Sequence, residues 1–198
     1  MAPLTFWFEF ASTYSYLAAW RVEPEARARG IQVEWRAFLL GPIFGAQGWN
    51  DSPFNIYPVK GRYMWRDMER LCDALGLPFK RPSAFPRNGL TAARVVCAAQ
   101  GAAWVPDFVR GVYRANFGED REISKPEVIG EILAAQGLPA QEWLQRASLP
   151  ATKDALRAQT ERAIAQGIFG APSFTVGDEL FWGGDRLTQA LDFARAAS

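Results

Sequence analysis

An α/β fold interrupted by a purely helical block is what the sequence predicts, on three observations. The chain opens on an aromatic strand pattern, LTFWFEF at residues 4–10, followed by a helical stretch and a second alternating run. A long central region then shows only helical periodicity. Strand patterning returns once, at residues 173–182, as two short runs across a tight turn.

In LTFWFEF both alternating faces are apolar, as in a strand buried on both sides of a covered sheet. Ala11-Ser12-Thr13 supplies capping chemistry, and residues 14–28 are helix formers that end before Gly30, a suitable terminator. IQVEWRAF at 31–38 alternates, with Val33, Trp35 and Ala37 on one face, and completes a β-α-β unit with a right-handed crossover. Residues 40–58 carry Gly41-Pro42, Gly45, Gly48 and Ser52-Pro53, a density of breakers that predicts a long irregular loop. Trp49, Phe54 and Tyr57 within it favour an ordered segment that covers a ligand.

From Tyr63 the spacing of Met64, Met68, Leu71 and Leu75 predicts a helix that stops at Gly76-Leu77-Pro78. Further helices are predicted over 89–100, 105–115, 126–135 and 152–166. Residues 173–176 and 180–182 flank Gly177-Asp178-Glu179 and read as an antiparallel hairpin; a last helix runs over 186–196. Strand-helix-strand, a helical block, then hairpin-helix is the order of a thioredoxin-like domain with an inserted all-helical domain. The expected division gives 1–40 and 167–198 to the thioredoxin-like part and 41–166 to the helical insertion, with a ligand-covering loop at 41–60.

Composition narrows the chemistry. A hydrophobic content of 49% with 14 Phe, 8 Trp and 5 Tyr argues against disorder. A net charge of +1, with basic and acidic residues interspersed, leaves no stripe for a nucleic-acid backbone. No run approaches the ~20 apolar residues that span a bilayer. Met1-Ala2-Pro3-Leu4 lacks a basic leader region, so the expected compartment is the cytoplasm. Cys72 and Cys97 are far apart and form neither a CxxC pair nor a local metal site. Histidine is absent altogether, which removes Ser-His-Asp and Cys-His catalysis and His-ligated zinc.

Three places carry candidate chemistry. Ser12 follows the first strand and opens a helix, where free N–H groups favour an anion; a plain capping role for Ser12 or Thr13 fits the same position. Gly167 to Ser173 (GIFGAPS) leads to Pro172 at a strand start. That proline is either a strand-edge residue or a cis-proline that exposes the N–H and C=O of Ala171 to an extended peptide. Asp185 and Arg186, after Gly183-Gly184, offer a carboxylate for an amino group and a cation for a carboxylate, or else a helix cap and a solvated charge.

FEFASTYSYLA (8–18), PVKGRYMWRDMERLCDALGLPF (58–79), FPRNGL (85–90) and GIFGAPSFTVGDELFWGGDRL (167–187) together resemble the bacterial 2-hydroxychromene-2-carboxylate isomerases. More distantly they resemble the kappa-class glutathione transferases, also in the DsbA-like branch of thioredoxin folds. The resemblance implies glutathione as cofactor, a small aromatic substrate and a homodimer. It implies that Ser12 hydrogen-bonds the glutathione sulfur, flanked by Thr13 and Tyr14. Ala171 would pair with the cysteinyl unit, Asp185 and Arg186 would hold the γ-glutamyl end, and Lys60 would lie near the glycyl end, with Asn50 beside it and Asn55 competing for that place. Many relatives have proline where this chain has Thr13, so either hydroxyl could meet the sulfur, and DF where it has Glu9-Phe10.

The implied reaction is reversible addition of the thiolate to a conjugated carbon, bond rotation and elimination. Trp7, Phe8, Trp49, Phe54, Tyr57 and Trp65 are candidate walls for a flat substrate, and Lys60 or Arg87 for its carboxylate. A transferase or peroxidase acting on other electrophiles needs the same glutathione site; a non-enzymatic binding module is a third reading. A DsbA-type oxidoreductase is disfavoured by the missing CxxC.

Overall fold

The computed structural model describes residues 2–197; Met1 and Ser198, the outermost residues of the expected thioredoxin-like part, lie outside the described residues. Strands β1 (Leu4–Phe8) and β2 (Val33–Ala37) are parallel, joined by α1 (Thr13–Arg27). β3 (Ser173–Val176) runs antiparallel along the other edge of β1, and β4 (Glu179–Trp182) antiparallel to β3, giving the order β2-β1-β3-β4.

Central position explains the composition of β1. Leu4, Phe6, Trp7 and Phe8 are all buried, so both faces of the strand are covered. Phe6 stacks on Phe174 with ring centroids 5.4 Å apart and meets Trp35 edge-on at 5.0 Å. Trp7 faces the other way, into a smaller cluster with Phe38, Ile43 and Ile168. Burial of rings this size contributes about 2–3 kcal/mol each.

Between the two halves of the sheet lie α2 (Leu40–Ala46), α3 (Pro53–Ile56), α4 (Pro58–Leu75), α5 (Leu90–Ala98), α6 (Val105–Tyr113), α7 (Pro126–Ala135), α8 (Ala140–Ser148) and α9 (Pro150–Ala165). The chain closes with α10 (Leu187–Ala196), which packs on β1, β3 and α1. α3, α4, α6, α7 and α9 each carry proline in the first turn, where the missing N–H has no intrahelical partner to lose. One hydrophobic cluster runs from the sheet through α1 into α4, α5, α6 and α7.

Three sequence expectations are corrected. The segment expected as an irregular loop holds α2 and α3, and α4 starts at Pro58 rather than Tyr63. Its breakers act as helix starters: Ser52 Oγ accepts the Phe54 N–H at 3.3 Å, and Pro53 and Pro58 occupy first turns. The buried stripe of α4 is Gly61, Met64, Met68 and Cys72, whereas Leu71 and Leu75 face solvent. Gly61 is required there, because a Cβ would lie 2.2 Å from the Phe54 carbonyl oxygen. Finally, α8 was not expected; its signal was the apolar spacing of Trp143, Leu144 and Ala147, which pack on the core.

Candidate active site

At the end of β1 the chain turns sharply into α1. The Ser12 N–H donates to the Glu9 carbonyl at 3.0 Å, and the Glu9 carboxylate accepts the Ala11 N–H, also at 3.0 Å. Ser12 is the helix cap, with extended backbone, and its Oγ accepts the Ser15 N–H at 3.2 Å. That leaves the Thr13 and Tyr14 amides at the positive end of the helix without intrahelical acceptors.

The facing wall is the turn before β3. The Ala171-Pro172 peptide is cis, and the Ala171 carbonyl accepts the Ser12 hydroxyl at 2.9 Å, while the Ala171 N–H makes no hydrogen bond among the described residues. Ser173 Oγ donates to the Gly170 carbonyl at 2.8 Å, and the Gly183 N–H to the Pro172 carbonyl at 2.9 Å. These bonds fasten both ends of the turn.

Ser12 and Ala171 lie in a cleft of about 900 Å³, a size that accommodates a tripeptide beside a second small molecule. Its apolar lining comes from Phe44, Trp49, Phe54, Phe85, Phe169 and Trp182. Trp49 and Phe54 were expected there. Trp7 and Phe8 belong to the core instead, Trp65 packs edge-on against Phe85 from outside the lining, and Tyr57 lies under the Lys60 ammonium. Phe85, Phe169 and Trp182 were missed as walls although each sits in a quoted motif; an aromatic side chain there looks the same in sequence whether it lines a core or a cleft.

The polar candidates divide. Thr13 borders the cleft but is buried, with its hydroxyl directed at Met64 Sδ, 3.0 Å away and outside the lining. Tyr14 lines the cleft and donates to Asp67 at 3.0 Å; burial and the Asp67 carboxylate push its phenol above the ordinary range. Asn50 and Lys60 both line the cleft. Asn55 does not: its amide donates to Asp51 and to the Phe85 carbonyl at 3.0 Å, bracing the cover. Asp185 and Arg186 lie on an exposed 3₁₀ turn outside the lining, 4.0 Å from each other; Arg186 holds the cap position of α10, and neither side chain makes a capping hydrogen bond there.

Arg87, a candidate for a substrate carboxylate, is buried and already engaged. It binds Asp120, Ser83 at 3.1 Å and Asn116 at 3.3 Å, with Glu122 3.4 Å from its Nε. The Ser83 N–H and Arg87 hold the Asp120 carboxyl down at about 2. Arg87 therefore props the 83–89 wall.

Two ionisable groups in the lining, Asp51 and Glu9, escaped the sequence reading. Glu9 faces the cleft next to Ser12, and burial pushes its carboxyl up to about 7 against the opposing pull of the Ala11 N–H. In sequence it looked like a break in an apolar run.

The DSBA-like thioredoxin domain family matches residues 3–193. A 2-hydroxychromene-2-carboxylate isomerase of Pseudomonas putida is 30% identical over 92% of this chain and 89% of its own. The chain belongs to the 2-hydroxychromene-2-carboxylate isomerase family of DsbA-like thioredoxin proteins. A solved 2-hydroxychromene-2-carboxylate isomerase structure superposes with a TM-score of 0.86 at 26% identity, covering 98% of this chain and 94% of that one. Glutathione S-transferase kappa 2 of Caenorhabditis elegans is 23% identical over 95% of this chain and 89% of its own.

This isomerase-family chain carries no thiol at the start of α1. Both cysteines are free, and burial pushes Cys72 up to about 12 and Cys97 to about 11, the opposite of an activated thiolate. Neither lines the cleft. Among the described residues no cluster of ligating side chains could hold a metal, and no helix is long and apolar enough to cross a membrane.

Proposed function

We propose that the protein is a glutathione-dependent isomerase of 2-hydroxychromene-2-carboxylate or a related intermediate of aromatic-compound degradation. The observation that carries this reading is the pairing of Ser12 with Ala171 at a helix start, in a cleft that has neither a cysteine nor a histidine of its own. The donor set fits a thiol-bearing tripeptide: two free amides and a hydroxyl for the sulfur, and an N–H and C=O at Ala171 for extended backbone. Lys60 adds a cation that makes no ion pair among the described residues. When bound, glutathione supplies a thiol that adds to a conjugated carbon, permits rotation about the former double bond and leaves again.

The chain's own residues hold and orient. Ser12 turns its hydrogen bond from the Ala171 carbonyl to the sulfur, freeing that carbonyl to accept a backbone N–H of the tripeptide. The Thr13 and Tyr14 amides stabilise negative charge at the same point. Lys60 and Asn50 take the glycyl carboxylate. Asp185 and Arg186 take the γ-glutamyl end, supported by the Gly183 bond that keeps their turn beside Pro172. Trp49, Phe54, Phe85 and Trp182 sandwich a flat second molecule. Cytoplasmic residence and a homodimer belong to the same reading, supported by two unbridged cysteines and the family resemblance; sedimentation velocity checks the dimer.

A kappa-class-like transferase or peroxidase uses the same glutathione site and differs in consuming the thiol. Incubating a chromene carboxylate with a trace of glutathione separates the two. Full conversion with the thiol recovered is the expected result; stoppage after one equivalent would favour the transferase. If glutathione does not bind at all, a non-enzymatic binding module is what remains.

A further inference from the structure

A thiol held beside Ser12 must lose a proton to react, and the cleft offers few places to put it. Ser12 is hydrogen-bonded through both its proton and a lone pair, to Ala171 and Ser15. The Tyr14 hydroxyl is engaged with Asp67, and Arg87 is held by Asp120 and Asn116. Asp51 turns its carboxylate to Asn55 and to the Ser52 N–H, and the Lys60 ammonium lies over Tyr57.

Glu9 is different. One carboxylate oxygen, Oε2, accepts the Ala11 N–H, and Oε1 makes no hydrogen bond among the described residues. The residue is fixed from both sides, because its carbonyl accepts the Ser12 N–H at 3.0 Å and the Tyr113 hydroxyl at 2.9 Å.

We infer that Glu9 is the proton acceptor of the cleft: its carboxylate takes the proton of a thiol docked beside Ser12 and returns it when that thiol departs. The inference rests on the glutathione reading above. In the forward step the S–H bond breaks with its electron pair left on sulfur, and an O–H bond forms on Glu9; departure of the thiol reverses both. Charge is conserved within the pair, and no oxidant or reductant is needed.

Titration agrees with the geometry. Burial sets the Glu9 carboxyl at about 7, so both protonation states are present at neutral pH, as a group that accepts and returns a proton requires. Tyr113 from α6 faces Glu9, and the other ionisable residues of the cleft lining are Tyr14 from α1, Lys60 from α4, Arg87 from the 83–89 wall and Asp51 from the cover. Burial and the Glu9 charge hold the Tyr113 phenol protonated, so Tyr113 does not compete for the proton.

The test uses carbon NMR of the Glu9 carboxyl in the whole protein, with glutathione and with S-methylglutathione, which has no thiol proton. At neutral pH glutathione is expected to move the Glu9 resonance to its protonated position, and the S-methyl analogue is not. Glu9→Gln keeps an acceptor for the Ala11 N–H; it is expected to bind glutathione within about threefold of wild type, turn over about a hundredfold more slowly and lose one limb of the pH profile. Glu9→Asp should keep both limbs. A Glu9 resonance unmoved by bound glutathione, or a Glu9→Gln profile that matches wild type, overturns this inference alone. Failure of the wild type to bind glutathione overturns it together with the reading on which it rests.

Discussion

The Ser12 hydroxyl donates to the Ala171 carbonyl at 2.9 Å, closing the start of α1 onto the turn before β3 across 159 residues of chain. A hydroxyl has one proton. To meet a sulfur, Ser12 must release that carbonyl, which then becomes the acceptor for a ligand's backbone N–H. Binding and thiol activation are thereby one rearrangement. Ser12→Ala removes the donor and the helix cap together. It is expected to raise the pKa of bound glutathione, followed by thiolate absorbance, and to lower kcat/KM by about tenfold to a hundredfold. The lost cap costs about 1 kcal/mol, or roughly 2–4 °C in Tm.

Thr13 provides the contrasting case. Its hydroxyl points at Met64 Sδ inside the α1–α4 contact, and its amide at the start of α1 survives substitution. Thr13→Val is expected to leave glutathione affinity and turnover at wild-type levels, measured by calorimetry and steady-state kinetics. A loss comparable to that of Ser12→Ala would instead place the second hydroxyl on the sulfur.

These two residues also show what the sequence could and could not carry. The strand-turn-helix around Ser12 was legible because a two-faced aromatic strand and a capping cluster each have one interpretation. Which of two adjacent hydroxyls enters the cleft was not, since that depends on the rotation of α1 against Met64. The hairpin at β3 and β4 and the turn at Pro172 were legible from their glycines and proline. The cover over 40–58 holds helices that the sequence reading does not predict because proline and serine serve both as breakers and as helix starters, and Ser52, Pro53 and Pro58 act as starters here. Glu9 carried no signal; its behaviour comes from burial, in a fold that brings Tyr113 of α6 onto it from 104 residues away.

Glu9 also predicts an opposition between activity and stability. In the unfolded chain its carboxyl titrates near 4.5, and in the folded protein burial raises it to about 7. Between those values the folded state binds more protons, so stability falls as pH rises through the window and the full cost is present above it. The ceiling is roughly 3 kcal/mol, less where cleft water reaches the carboxylate. Glu9→Gln is therefore expected to be more stable than wild type at pH 8, with the advantage gone at about pH 4. Thermal melts across that range check it; parallel curves for the two proteins would place the carboxylate in full contact with solvent.

Gly170 sets the position of one aromatic wall. A Cβ built there would lie 2.5 Å from the indole Nε1 of Trp182, closer than any stable contact. The ring packs against Phe169 at 4.8 Å between centroids and is otherwise half exposed, so it has room to swing outward while the turn stays in place. Gly170→Ala is thus expected to displace Trp182 and leave the Ser12–Ala171 pairing intact. The aromatic substrate should lose affinity several-fold through KM, with glutathione affinity and kcat close to wild type and only a small change in Tm. Matching losses in both affinities would mean that the cis-proline turn itself had moved, and that the aromatic wall and the tripeptide site cannot be varied separately.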